Sequence, residues 1–140
     1  MTVTELFLYI HRGDVYLYYD VFDNCITNIS INKKERDRVV SLANKNIYVN
    51  DVKDNIMLPT FSQINHKEIM RFFVRECVYE KEIRKVLFDI LRRDEFVKLF
   101  VEKLKELDLY DLFDDCCGSI YYDILTEWAD SHSIDLKKLQ

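Results

Sequence analysis

A chain of 140 residues with 49% apolar residues is one ordinary domain with enough material to bury a core without staples. Its net charge of −5 argues against a protein that coats nucleic acid, because the phosphate backbone must be met by clustered Lys and Arg. Two Gly and one Pro exclude a Gly-rich phosphate cradle, and no apolar run approaches membrane-spanning length.

Residues 5–12 open the chain with two readings. Thr2 or Thr4 can cap a helix over Glu5–Arg12 with Gly13 as its stop. Leu6, Leu8 and Ile10 also alternate with Phe7, Tyr9 and His11 as in a strand. The cap and the Gly favour helix. Val15–Phe22, dense in Val and Tyr, predicts a strand. Asp23-Asn24 suits a tight turn, and Cys25–Ile31 predicts the returning strand. A short charged helix opens at Asn32 with Val39, Val40 and Leu42 as its apolar side. Ile47–Val49 offers a third strand, 50–55 reads as a polar turn, and Met57-Leu58-Pro59 reads as extended.

The helical centre follows. Asn65 with Glu68 three residues on resembles a capping box, and Ile69, Phe72, Phe73 and Cys77 follow at core spacing. Ile83, Val86, Leu87, Ile90 and Leu91 mark one face of a second helix. Arg92-Arg93-Asp94 interrupts, with Asp94 the expected cap of a third helix carrying Phe96, Leu99, Phe100, Leu104 and Leu107. From Glu106 to Asp135 there are nine carboxylates and no Lys or Arg. Gly118 is expected to break the chain and Ser119 to cap a last helix, on which Ile120, Tyr121, Ile124, Leu125 and Trp128 form one stripe.

Several constellations invite chemistry. Asp14, Asp20 and Asp23 cluster near the hairpin, but no calcium-loop spacing accompanies them. Cys116-Cys117 lacks a Cys-x-x-Cys partner for zinc, and Asp114-Asp115 beside it disfavours a thiolate. Four cysteines without a framework read as reduced, buried thiols of a cytosolic protein. Ser119 has no nucleophile elbow. Glu127 beside Trp128 diverges from it by about 100° on a helix and faces water. No catalytic residue, cofactor or metal is therefore expected. Two charged surfaces remain. Asp111, Asp114, Asp115, Asp123 and Asp130 are the candidates for meeting a basic protein partner. Arg71, Arg75, Arg84, Lys85, Arg92, Arg93 and Lys98 are the candidates for a nucleic-acid face, although Glu68, Glu76, Glu80, Glu82 and Asp89 lie between them and repel phosphate.

The chain also resembles the uncharacterised bacterial protein family numbered 0158, over roughly Tyr18 to Leu136. Tyr18-Tyr19-Asp20-Val21 stands where the family has an extended Tyr-Leu-Asp-Leu segment, with Asn24 in place of its turn Gly. Pro59, Asn65, Met70 and Phe73 match a Pro, a polar helix start and a Met–x–x–Phe pattern. Phe96 and Phe100 correspond to a Phe pair that is three apart in the family and four apart here, and the family's basic pair is reduced to Lys98. Tyr121, Ile124, Glu127, Trp128 and Ile134 carry the most specific part. The resemblance implies no activity.

The expected fold is α+β. A small antiparallel β-hairpin, with a third strand in one reading, packs on a bundle of four to six helices. Residues 1–140 form a single domain, β-containing over 1–58 and helical over 59–140. The expected role is a non-catalytic interaction or regulatory module in the cytoplasm, engaging a protein partner through charged surfaces. The alternatives are a nucleic-acid-associated protein using the basic centre and an enzyme with an unrecognised site. No membrane association is expected.

Overall fold

The computed structural model describes residues 2–11, 18–20, 25–27, 38, 41–42, 44–45 and 55–136. Five helices dominate them: α1 (Val3–His11), α2 (His66–Cys77), α3 (Lys81–Ile90), α4 (Phe96–Glu106) and α5 (Tyr110–Ser131). Among the described residues extended structure is limited to β1 (Tyr18–Asp20), β2 (Cys25–Thr27) and β3 (Asn55–Met57), ordered β2-β1-β3 with antiparallel pairing. The expected α+β class is thus corrected to a mainly helical one. Strands of three residues supply few ladder bonds and one or two inward side chains each, too little to form a layer that defines a fold. The large apolar residues sit on the helices instead. The turn at 23–24, the strand at Ile47–Val49 and the stop at Gly13 lie outside the described residues.

The chain divides into two compact units. The first comprises Met1–Gly13 and Asn65–Ile124, the second Asp14–Ile64 and Leu125–Gln140. Helix α5 is shared, with its residues up to Ile124 in the first unit.

In the first unit, α1 packs on α4, and α3 packs on both α2 and α4. Phe73, Phe100 and Phe113 form an edge-to-face triad with centroids 5.1 to 6.5 Å apart, the arrangement that ring quadrupoles favour. Phe7, Met70, Leu87, Leu104 and Tyr121 complete a fully buried centre. Asn65 caps α2 as expected, its side chain accepting the Glu68 N–H at 3.1 Å. The cap of α4 differs from the expectation. It is Glu95, one residue after Asp94, and it makes no side-chain cap bond.

Helix α5 does not break at Gly118, and Ser119 lies inside it. Gly118 is there for space. A Cβ at that position would lie 2.9 Å from Asp114 Oδ1 and 3.5 Å from Thr4 Oγ1, where the Thr4 hydroxyl donates to the Asp114 carboxylate at 2.5 Å. The real stops are Asp108 after α4 and Ser133 after α5, both with left-handed φ of 58° and 55°. Each is followed by the same pair of return bonds, Leu109 N–H to Leu104 O with Asp108 N–H to Lys105 O, and Ile134 N–H to Ala129 O with Ser133 N–H to Asp130 O.

In the second unit, Tyr19 is buried edge-on to Trp128, with centroids 6.4 Å apart. The Trp128 indole N–H donates to Met57 O at 3.0 Å. Leu58, Ile64, Leu125 and Ile134 are buried in this unit as well. Thr60 N–H donates to Gln63 Oε1 at 2.9 Å and the Thr60 hydroxyl to Asn44, which fixes the turn that precedes Ile64.

Candidate functional site

The acidic candidates separate by helix geometry. At about 100° per residue, Asp114 falls on the same side of α5 as Phe113, Cys117 and Tyr121. It is half-buried and bonded to Thr4. Asp111, Asp115 and Asp123 are exposed and share an arc of about 120° with Leu112, Ser119 and Tyr122. Leu112 is 39% and Tyr122 54% exposed, large values for such side chains. None of the three aspartates pairs with a Lys or Arg among the described residues. Asp130 is exposed and belongs to the second unit.

The basic candidates are dispersed over three helices and the turn between α3 and α4, and are partly engaged. The Arg84 guanidinium donates to Arg75 O at 2.8 Å and so closes the end of α2, while its Nε is buried without a partner among the described residues. Arg75 meets Glu76 at 3.7 Å and Arg93 meets Asp89 at 3.3 Å, both in solvent, where such pairs contribute little. Arg71 and Lys98 are exposed. Lys85 and Arg92 come together with Val86, Phe88 and Asp89 around a depression of about 500 Å³.

Two polar clusters of the first unit join residues that the sequence reading did not bring together. His66 is buried beneath Tyr121, its Nδ1 3.0 Å from the Tyr121 hydroxyl and its Nε2 2.5 Å from His11 Nδ1. Burial, with His11 adding to it, pushes His66 down to about 3 from 6.5. Burial first, then Cys117 and Tyr110, raises Tyr121, so that its hydroxyl keeps a proton to donate to a neutral ring. The three histidines are scattered in sequence, and only the fold brings two together. The second cluster is Cys77, Cys116 and Cys117. Burial, then a hydrogen bond and charge coupling to Cys77, then Asp115, pushes Cys116 up to about 11. Burial, with Cys116 and Cys77 adding to it, pushes Cys117 up to about 12. The Cys117 thiol donates to Ile69 O at 3.9 Å.

Among the described residues no three His, Cys, Asp or Glu side chains form a group that could hold a metal. Asp14 and Asp23 lie outside those residues, and Asp20 sits in β1 opposite Cys25 and Asn55. Glu127 is exposed, as is Ser119. No helix among the described residues is long and apolar enough to cross a membrane.

The profile of one protein family matches residues 8–118, most of the chain. The chain belongs to the uncharacterised protein family UPF0158. The UPF0158 match takes in the segment at Tyr18–Val21, Pro59, Asn65, Met70, Phe73, Phe96 and Phe100. It ends before Tyr121, Trp128 and Ile134, so the similarity of the last segment stands outside it. No curated protein and no solved structure matches the chain.

Proposed function

We propose that this chain is an interaction module of the cytoplasm that docks a basic protein segment on the exposed face of α5 between Asp111 and Asp123. One observation carries the reading: three exposed aspartates without a basic partner among the described residues flank two exposed apolar side chains, Leu112 and Tyr122. Carboxylates alone keep a protein soluble and need no partner. Carboxylates interleaved with Leu and Tyr offer more, because the charges steer encounter while the apolar groups supply contact area. An amphipathic segment with Lys or Arg beside apolar residues is the complementary chemistry.

The test compares partners retained by the wild type and by Asp111→Asn/Asp115→Asn/Asp123→Asn at two salt concentrations. The expected outcome is slower association and a flatter salt dependence for the variant, with Leu112→Ala/Tyr122→Ala weakening retention at both. Identical retention and identical salt dependence for all three proteins would sink the reading. The nucleic-acid alternative draws on Lys85 and Arg92 at the α3 depression. Asp89 lines the same depression, and Arg84 and Arg93 are engaged elsewhere, so it receives the weaker support.

A further inference from the structure

We propose that the basic segment docked by the acidic face of α5 is the α3 face of a second copy of this chain, so that copies join through unlike surfaces. The inference rests on the docking reading of α5 and names its partner. Both surfaces belong to the first unit. On the α3 side, Lys85 and Arg92 are exposed and share a depression of about 500 Å³ with Val86, Phe88 and Asp89. Neither cation pairs with a carboxylate among the described residues, whereas Asp89 is held by Arg93 at 3.3 Å. The local balance of that face is therefore positive. Val86 is 44% exposed and Phe88 is half-buried, so apolar area lies beside the charges.

The two faces match in sign, spacing and character. Lys85 and Arg92 stand about two helical turns apart, roughly 10 Å along α3. The Arg92 N–H donates to Asp89 O at 3.2 Å, which keeps Arg92 against the end of that helix. Asp115 and Asp123 also stand about two turns apart, roughly 12 Å along α5. The long Lys and Arg stems absorb the difference. Leu112 and Tyr122 on α5 then meet Val86 and the open edge of Phe88, which adds apolar contact between the ion pairs. Lys85, Arg92, Asp115 and Asp123 are all exposed within one chain, so this contact needs two. Each copy carries one face of each kind, and further copies add until the assembly closes on itself. Charge steers the encounter, and salt weakens it.

The experiment measures the mass of the purified full chain by sedimentation, over a wide range of protein concentration at low and high salt. The expected result is a mass above the monomer that grows with concentration and falls with salt. Lys85→Glu/Arg92→Glu and Asp115→Lys/Asp123→Lys should each raise the concentration for half-association by about tenfold or more, because each brings like charges together. Mixing the two variants should restore association, since the reversed α3 face meets the reversed α5 face and the two unreversed faces still match. Arg71→Glu/Lys98→Glu makes the same change in net charge at exposed positions elsewhere and should associate as the wild type does. A monomer at every concentration in low salt, association that neither reversal alters, or a mixture no better than its components would overturn the second copy as the occupant. A monomer that still retains another basic protein through Asp111, Asp115 and Asp123 overturns this proposal and keeps the docking reading of α5, whereas a monomer whose retention ignores those aspartates sinks both.

Discussion

At the scale of single residues, Trp128 and His66 show how differently a buried polar atom can be used. The Trp128 indole fills its unit and spends its one N–H on Met57 O. Trp128→Phe should cost roughly 1–3 kcal/mol, chiefly from leaving that carbonyl unpaired, and Trp128→Ala roughly 3–5 kcal/mol, both read by chemical denaturation. A loss under about 1 kcal/mol for the alanine variant would mean that the ring is not packed. His66 spends both nitrogens, on Tyr121 and on His11, and remains neutral. Its pKa is about 3 in the folded chain and 6.5 in the ordinary state, so between these values the unfolded chain holds more protons. Stability from this group is therefore whole above about pH 6.5 and lost as pH falls toward 3. The loss should reach roughly 3–5 kcal/mol at the acid end. Denaturation curves at pH 7 and pH 4 should differ less for His66→Gln than for the wild type. An unchanged pH dependence in the variant would remove His66 as its source.

At the scale of elements, the helices of the centre were legible because apolar spacing of three and four residues repeats across them. The start of α2 was legible because Asn65 is a good cap with Glu68 in place. What was not legible was where helices stop. Gly118 invited a break, yet a side chain there would crowd the Asp114 carboxylate one turn earlier, which Thr4, more than a hundred residues away in the chain, holds by a hydrogen bond. Asp108 and Ser133 gave no warning, because non-glycine residues seldom take positive φ. This predicts a coupled result. Gly118→Ala gains about 1 kcal/mol of helix propensity but displaces the Thr4–Asp114 bond, which contributes about the same, so it should be nearly neutral alone. In an Asp114→Ala background it should stabilise by about 1 kcal/mol. Equal effects in both backgrounds, measured by thermal or urea unfolding, would refute the close contact. The acidic stretch of α5 was also legible as composition. Its division into an inward Asp114 and outward Asp111, Asp115 and Asp123 needed the helix to run unbroken.

At the scale of the molecule, the sequence pointed to charge surfaces but not to convergence. The two links of the His11–His66–Tyr121 cluster each join positions 55 residues apart, which no local pattern reports. Helix α1 belongs with residues 65–124, where Phe7 meets Tyr121 at 6.1 Å and His11 meets His66. Removing residues 1–11 should therefore destabilise the first unit by several kcal/mol, since Phe7 alone is a fully buried aromatic. Hydrogen exchange of α2 and α4 amides should quicken in that variant, and unchanged protection would contradict the assignment. The interleaving also bears on synthesis. On a ribosome adding 5–20 residues per second, Phe7 and Leu8 emerge on the order of ten seconds before Tyr121 does. For that interval the apolar side of α1 stays without the residues that cover it. The first unit closes only after Tyr121 has been made.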